Sequence, residues 1–249
     1  MKIDLNCDLG EEAGNDEAIM PYITSANVAC GFHAGNENVM RDTVRLAKQF
    51  GVHIGAHPSW NDRQNFGRLE MNVSAAEAEE IAFQQIHTLM KIVKEEGAVL
   101  SHVKPHGALY NQAAKDLGLA EAIARAVKRI SVDLILVGLA GSRLCEAGVS
   151  AGIQVAEEGF PDRAYNPDGT LMPRSKAGAV IESPEEVAKN ALRLIRDGIS
   201  FGERPVRVDT LCLHGDNPHA AENAKLLSET LTKNGVEVVG LKKRQSPSR

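Results

Sequence analysis

The chain has 249 residues, which is long enough for one large hydrophobic core or two smaller ones. Its 28 basic and 33 acidic residues give a formal net charge of -5, which is unlike the basic surface that binds nucleic acid or anionic membranes. The N-terminus lacks the apolar run of a signal peptide, and no stretch of about 18 apolar residues occurs. We therefore expect a cytoplasmic protein that binds neither nucleic acid nor membrane.

Short runs with strand character alternate with amphipathic stretches along the chain. The predicted strands are residues 2–6, 26–30, 52–56, 99–104, 134–137, 153–157, 210–213 and, as an eighth candidate, 237–241. The predicted helices are residues 38–50, 75–96, 117–130, 184–197 and 218–234. Ser74 with Glu77, and Ser183 with Pro184, are typical residues at helix starts. Alternation of this kind predicts right-handed βαβ units and a parallel sheet.

Seven or eight such units predict a closed (β/α) barrel, formed as one domain by residues 1–241 and followed by a disordered basic tail at 242–249. An open doubly wound sheet is the alternative, but its G-x-G-x-x-G signature does not follow the first strand. Residues 159–176 are rich in turn-forming residues. Loops of about that length in a compact domain are usually functional, such as lids, or disordered.

Polar residues follow the predicted strands at the ends where such a barrel places its active site. They are Asn6, Asp8, Glu11, His33, His57, Lys104, His106, Glu158, His214 and Asp216. Any one of them is consistent with a structural, hydrogen-bonded group, and Asp216 is also a suitable cap for the helix that Pro218 begins. Because barrel closure points strand ends at one volume, their number predicts a shared site.

The chemistry of this set suits hydrolysis. Histidine can remove a proton from water near neutral pH, Lys104 can stabilise developing negative charge, and a carboxylate can orient an imidazole. Asp8, His33 and His57 would also form a carboxylate–imidazole site for a divalent metal. No closely spaced motif such as HExxH supports this, so metal binding stays an open alternative. The phosphate loop G-x-x-x-x-G-K-[ST] is absent from the sequence.

Seven motifs of the chain resemble the LamB/YcsF family. They are DLNCDLGE (residues 4–11), ANVACGFHAG (26–35), GAHPS (55–59), FGR (66–68), VKPHGALYN (103–111), EGFPDRAY (158–165) and HGDNPHA (214–220). The resemblance extends from residue 2 to about residue 241. It implies a barrel related to the polysaccharide-deacetylase-like folds, often with seven strands.

The resemblance also implies the ATP-dependent opening of 5-oxo-L-proline to L-glutamate, with ADP and phosphate as the other products. It implies that the chain is the A subunit of a 5-oxoprolinase and works with subunits B and C, which would bind the ATP. In this scheme His57 or His214 is the base, Asp8 or Asp216 orients it, and Lys104 with His106 stabilises the oxyanion or phosphate. The substrate-binding set would comprise Asn6, Glu11, His33, Glu158 and the arginines Arg63, Arg68 and Arg163, one of which holds the substrate carboxylate.

Two other functions compete with this one. The first is a stand-alone metal-dependent deacetylase or amidohydrolase, which the related fold suggests. The second is a non-catalytic subunit that only binds 5-oxoproline or scaffolds its partners.

Overall fold

The computed structural model describes residues 1–201, 204–213 and 220–242. Its strands are β1 (Lys2–Leu9), β2 (Ser25–Ala29), β3 (His53–His57), β4 (Leu100–Val103), β5 (Ile135–Leu139), β6 (Gln154–Gly159), β7 (Ile199–Phe201), β8 (Arg204–Val206), β9 (Thr210–Leu213) and β10 (Glu237–Val238). Its helices are α1 (Asp16–Ile19), α2 (Glu37–Phe50), α3 (Ala75–Glu95), α4 (Gly107–Ala113), α5 (Leu117–Ile130), α6 (Arg143–Ser150), α7 (Pro184–Asp197) and α8 (Ala220–Lys233). The predicted site residues His214 and Asp216, and the tail after residue 242, lie outside the described residues.

Seven parallel strands close into a barrel, which confirms the predicted fold class. They follow the order β1, β2, β3, β4, β5, β6 and β9, and β9 pairs with β1 to complete the ring. The eighth candidate strand is reduced to β10, which pairs with β1 outside this ring. A short antiparallel pair of β7 with β8 lies apart from the barrel and was not predicted.

The helices that surround the barrel begin where the sequence places capping residues. Ser74 and Glu77 form a reciprocal capping box at the start of α3, and Ser183 accepts a backbone hydrogen bond at the start of α7. Asn36 caps α2 in the same way. The described part of the chain contains no helix that is both long enough and apolar enough to cross a membrane.

The apolar core lies between the barrel and its helices, because the strands alternate in polarity. On β1, Leu5, Cys7 and Leu9 belong to this core. The intervening residues of β1 contact other strands through hydrogen bonds: Asn6 Nδ2 donates to Glu158 Oε1 at 2.9 Å, on β6, and to Thr210 Oγ1 at 2.7 Å, on β9. Around β1 the barrel interior is therefore polar, with side chains held in place by bonds across the ring, whereas Ile135, Val137 and Ala156 of β5 and β6 form a small apolar cluster.

Candidate active site at the carboxyl end of the barrel

A cavity of about 360 Å³ opens at the carboxyl ends of the barrel strands. Its inner wall is formed by residues at or just after the ends of β1, β3 and β4, namely Asp8, Glu11, His57, Lys104 and His106. Its outer wall comes from the segment after β6, for which the sequence predicted a long loop that is either functional, such as a lid, or disordered. Phe160, Arg163 and residues 170–174 of this segment line the cavity.

Three imidazoles and a carboxylate converge at the inner end of the cavity. The ring atoms His33 Nε2, His57 Nε2 and His106 Nδ1 and an oxygen of Glu11 all lie within 4.8 Å of one another. Glu11 Oε1 is 3.2 Å from His33 Nε2 and 3.4 Å from His106 Nδ1, and the two nitrogens of His57 and His106 are 3.0 Å apart. We call these four residues the imidazole cluster.

The outer hydrogen bonds of the cluster fix the tautomer of each ring. His57 Nδ1 lies 2.7 Å from Lys104 O, and His106 Nε2 lies 2.9 Å from Phe66 O. A carbonyl oxygen can only accept, so these nitrogens carry the hydrogens. His33 Nδ1 donates to Ser59 Oγ at 2.9 Å, since that hydroxyl gives its own hydrogen to Trp60 O. All three rings therefore present a lone pair to the centre of the cluster.

Lone pairs that face each other and a carboxylate repel unless a cation lies between them. A proton on His106 is a poor candidate for this cation, because burial first and His57 second lower the pKa of His106 to about 3. Burial also lowers the pKa of His33, and His106 and His57 lower it further. Three imidazole nitrogens with one carboxylate oxygen form a donor set typical of zinc and similar divalent metals. The cluster thus fits a divalent metal.

Lys104 lies beside the cluster in a buried ion-pair network. Its ammonium donates to Asp8 Oδ1 at 2.9 Å and is 3.0 Å from Glu158 Oε1, while only 2% of the residue is exposed. Burial by itself lowers the pKa of Lys104, but Asp8 and Glu158 outweigh this and hold it well above its usual value. Asn27 supports Asp8 with a 2.8 Å bond, and Tyr110 donates to Glu158 at 2.6 Å. Lys104 is therefore a fixed positive charge at the cavity wall.

Two adjacent backbone segments pack closely to hold the ring of His106. Phe66 has a φ of 55°, its carbonyl accepts from His106 Nε2, and its ring packs edge-on against His106. Gly107 has a φ of 54°, and a Cβ at this position would lie 2.6 Å from Gly67 O. Only glycine fits at residue 107, since any side chain would push the two segments apart.

The outer end of the cavity is cationic and partly apolar. Arg68, Lys115, Arg163 and Arg174 reach it from different segments, together with the apolar side chains of Phe160, Leu171 and Met172. An anionic small molecule with a hydrocarbon face would match this lining.

The family model of the LamB/YcsF family matches residues 3–246. The chain belongs to the LamB/YcsF family. A protein from Pyrococcus furiosus that is named as a 5-oxoprolinase A subunit is 49% identical over 248 residues, which cover 96% of this chain and 97% of that protein.

Solved structures agree with this family and extend the fold relationship. A lactam utilization protein from Thermus thermophilus superposes with a TM-score of 0.89 at 46% identity, covering 97% of this LamB/YcsF chain and 100% of the other. The catalytic domain of a peptidoglycan N-acetylglucosamine deacetylase from Eubacterium rectale has a TM-score of 0.54 at 14% identity. The match covers 99% of this chain and 92% of the other. The latter likeness shows a shared fold alone.

The structure brings most of the predicted site residues of this LamB/YcsF chain together. Asp8, Glu11, His57, Lys104, His106, Arg68 and Arg163 line the cavity, while His33, Asn6 and Glu158 lie directly behind it. Of the predicted metal set, His33 and His57 belong to the imidazole cluster. Asp8 Oδ2 is 3.4 Å from His57 Nε2, and its other oxygen accepts from Lys104 and Asn27.

Arg63 is placed differently from the other predicted residues. It does not line the cavity; instead its guanidinium donates to Gly35 O at 2.7 Å and to Glu12 Oε2 at 3.0 Å, so it ties the loops after β1, β2 and β3 together. A role in loop packing accounts for these contacts.

Other polar residues at the site were missed by the sequence reasoning. Asn27 and His102 lie inside strands rather than at their ends, and Tyr110 and Arg174 lie in a helix and a loop. The alternation of Asp4, Asn6 and Asp8 along β1 was the available signal that the barrel interior is polar.

Proposed function

We propose that this chain is the A subunit of an ATP-dependent 5-oxoprolinase, and that it opens the lactam ring in the cavity described above. The observation that carries the proposal is the 49% identity, along 96% of the chain, to a relative named as a 5-oxoprolinase A subunit. The cavity supports it, because a base, a fixed cation and arginines for an anionic substrate line one space. The subunits B and C are the proposed partners, in the cytoplasm, and would bind the ATP.

The net reaction adds water across the amide bond of the ring. The water oxygen forms a bond to the lactam carbon, the carbon–nitrogen bond breaks, and the nitrogen gains a proton to become the amine of glutamate. A five-membered lactam is an unstrained, resonance-stabilised amide. Transfer of a phosphoryl group from ATP to the lactam oxygen by the partners would make this carbon more electrophilic. When the carbon–nitrogen bond has broken, the phosphoryl group remains on the new carboxyl group as an acyl phosphate, and a second water molecule releases phosphate from it.

His57 is the proposed base of this step. Its Nε2 presents a lone pair to the cavity side because Nδ1 donates to Lys104 O. Asp8 Oδ2 lies 3.4 Å from the same Nε2 and can hold the imidazolium that forms when His57 takes a proton. The ring is oriented by the backbone of Lys104, and Asp8 stabilises its charge.

Lys104 is the proposed stabiliser of negative charge on the substrate oxygen. It is charged, held by two carboxylates, and lines the cavity. His106 cannot assist as a hydrogen-bond donor, since its hydrogen goes to Phe66 O. We therefore assign His106 to the imidazole cluster and not to the oxyanion role.

Reconstitution with the candidate partner chains tests the function. Glutamate release and ATP hydrolysis from 5-oxoproline would be measured with all three chains and with each omitted. We expect glutamate release to stop without this chain, and to fall at least 100-fold in His57→Ala, because a positioned base contributes about 10²–10⁴ to such a step. His87→Ala, on the outer side of α3, is the matched control. Full glutamate release in the absence of this chain would refute the assignment.

As an alternative to a free His57 base, we propose that the imidazole cluster binds one divalent metal, in which case His57 Nε2 is a ligand and not the base. Glu11, His33, His57 and His106 would hold it, and a bound metal would supply Lewis-acid polarisation of an oxygen atom near the cavity. This proposal favours the metal-dependent amidohydrolase as the second candidate function, which needs no partner chains.

Metal content after dialysis against Zn²⁺ or Mn²⁺ tests the cluster. We expect about one metal per chain in the wild type and at least a 10-fold loss of affinity in His33→Ala, since one of four ligands is gone. His87→Ala should bind as the wild type does. Equal metal content in wild type and His33→Ala would contradict the proposal. Activity of the isolated chain that a chelator abolishes would favour the second candidate.

A further inference from the structure

Arg163 is a buried guanidinium at the outer end of the cavity. It follows β6 in the long segment, pairs there with Val180 through an isolated backbone bridge, and is 7% exposed. Its Nε donates to Ala179 O at 3.3 Å and its Nη2 donates to Met172 O at 2.6 Å. These bonds fix the plane of the guanidinium at the cavity wall.

No carboxylate neutralises Arg163 within the described ranges of the chain. Its hydrogen bonds there go only to backbone carbonyls, and no ion pair joins it to an acidic side chain. Burial first, and Arg174 second, lower the pKa of Arg163, while Asp162 opposes them. A buried charge without a paired counter-charge is costly in free energy, so its retention at a cavity wall points to an anionic ligand.

Arg174 adds a second positive charge to the same wall. It is exposed, lines the cavity, and forms no ion pair in the part of the chain that the structure describes. Asp8 and Glu11 line the cavity beside His57, and Glu70 is a third acidic residue of the lining, at an exposed position. The guanidinium groups of Arg163 and Arg174 come from the segment after β6, whereas the reactive groups come from the ends of β1, β3 and β4.

We propose that Arg163, assisted by Arg174, binds the carboxylate of the substrate and so orients the lactam carbonyl toward His57 and Lys104. This inference rests on the proposed function and names the specificity determinants of that site. A guanidinium fork matches the two oxygens of a carboxylate, and the carboxylate is the anionic group of 5-oxoproline. Phe160, Leu171 and Met172 also line the cavity, and they fit the methylene face of the ring.

The structure also distinguishes among the three arginines that were predicted from the sequence to bind the substrate carboxylate. Arg63 lies outside the cavity and donates to backbone carbonyl groups of a loop. Arg68 is exposed, and its guanidinium carbon lies 4.9 Å from the centre of the Phe66 ring. Arg163 alone of these three is both buried and in the cavity lining. Arg174 was not predicted from sequence, since nothing in residues 170–176 marks it.

Direct binding to the isolated full chain tests the proposal without any turnover. Isothermal titration would compare 5-oxo-L-proline, its neutral carboxamide and inorganic phosphate on the wild type, Arg163→Gln, Arg163→Lys and Arg174→Gln. We expect Arg163→Gln to weaken 5-oxoproline binding about 10- to 100-fold, the range for loss of a charged hydrogen bond, with Arg163→Lys between it and the wild type. Arg174→Gln, at an exposed position, should weaken 5-oxoproline binding by a smaller factor. The carboxamide should bind all four proteins weakly and alike.

Arg125→Gln, at an exposed residue that pairs with Glu79 on α3, is the control and should bind 5-oxoproline as the wild type does. Equal losses for 5-oxoproline and the carboxamide in Arg163→Gln would overturn the proposal, as would the absence of 5-oxoproline binding by the wild type. An effect of Arg163→Gln on phosphate alone would overturn it too, and would assign the site to a phosphoryl group instead. The binding measurement uses neither ATP nor the partner chains. Its outcome therefore does not depend on whether the reconstituted complex releases glutamate.

Discussion

The burial of the Lys104 ammonium depends on its carboxylate partners. Its ammonium contacts carboxylates of Asp8 and Glu158 that come from β1 and from the carboxyl end of β6. Asn6 Oδ1 accepts a further bond from it at 3.1 Å. Without Lys104, two acidic side chains would face each other in a closed interior, with no cation to offset their repulsion.

Replacement of Lys104 by Met therefore lowers both stability and activity. Breaking a buried ion pair by removing one partner costs about 3–5 kcal/mol, so the free energy of unfolding should fall by that amount in urea titrations at pH 7.5. Glutamate release by the assembled complex should be lost as well. Lys91→Met, at an exposed position on α3, is the matched control. A loss below about 1 kcal/mol would mean that Asp8 and Glu158 do not depend on Lys104.

The site could be predicted in part from single residues. His33, His57 and His106 stand at strand ends, where barrel geometry collects side chains, and they do meet. The tautomers could not be predicted, because they depend on Lys104 O, Phe66 O and Ser59, which are distant in the chain or belong to the backbone. The pairing of Glu158 with Lys104 could not be predicted from the sequence either, since it depends on how the barrel closes.

Among the elements, long helices were predictable and short ones were not. The five predicted helices form with nearly the expected bounds because caps and apolar periodicity agree in most of them. Helices α4 and α6 have seven and eight residues, which is too short for a clear periodicity. β10 resembles a barrel strand in sequence, but the ring is already closed by β9, so it pairs only at the edge of β1.

The packing of strand β3 against strand β4 depends on one glycine, Gly55. The ring of His102, on β4, occupies the space beside Gly55 on β3, and a Cβ built on Gly55 would overlap that ring. The register of the two strands shifts between Ile54 and Gly55. His102 is held in this position by Asn27 Oδ1, 2.8 Å from its Nε2. The packing of the two strands that lead to His57 and His106 thus depends on a residue without a side chain.

Replacement of Gly55 by Ala tests this packing. The added methyl group overlaps a fixed ring, so the free energy of unfolding should fall by about 1–3 kcal/mol or more. Gly118→Ala, near the start of α5, is the control; its Cβ would lie 3.4 Å from the carboxylate of Asp116, an ordinary contact distance, so stability should hold or rise. The double variant Gly55→Ala/His102→Ala should lose less free energy of unfolding than the sum of the losses in the two single variants. Strict additivity would show that the two residues do not clash.

For the whole molecule, the polar barrel interior links the site to the stability of the fold. Asp4 accepts hydrogen bonds from Thr24 and Ser25 at 2.7 Å and from Thr210 at 2.6 Å, deep below the cavity. Asn6, Asn27 and His102 continue the network toward the carboxyl end of the barrel. Because these bonds join different strands, a change in the protonation state of one group weakens contacts that hold the ring together.

His102 makes the stability of this fold depend on pH in the acidic range. Burial lowers its pKa to about 3, and His53 and Lys104 contribute to the lowering while Asp8 opposes it. An unfolded chain has a histidine pKa of about 6.5, so below that pH the unfolded state binds a proton that the folded state does not. The free energy of unfolding should therefore fall as the pH drops from about 6.5 toward 3, by about 2 kcal/mol at pH 5 for this residue.

The variant His102→Gln isolates this contribution. It should be less stable than the wild type at pH 7.5, because the contacts with Asn27 and Ser101 are impaired. Between pH 7.5 and pH 5, however, it should lose about 2 kcal/mol less than the wild type in urea titrations with a chelator present. His87→Gln, whose ring stacks on Phe83 outside the barrel, is the control for replacement of a histidine in the same urea titrations. Parallel curves for wild type and His102→Gln would mean that His102 takes up its proton in the folded chain as readily as in the unfolded one.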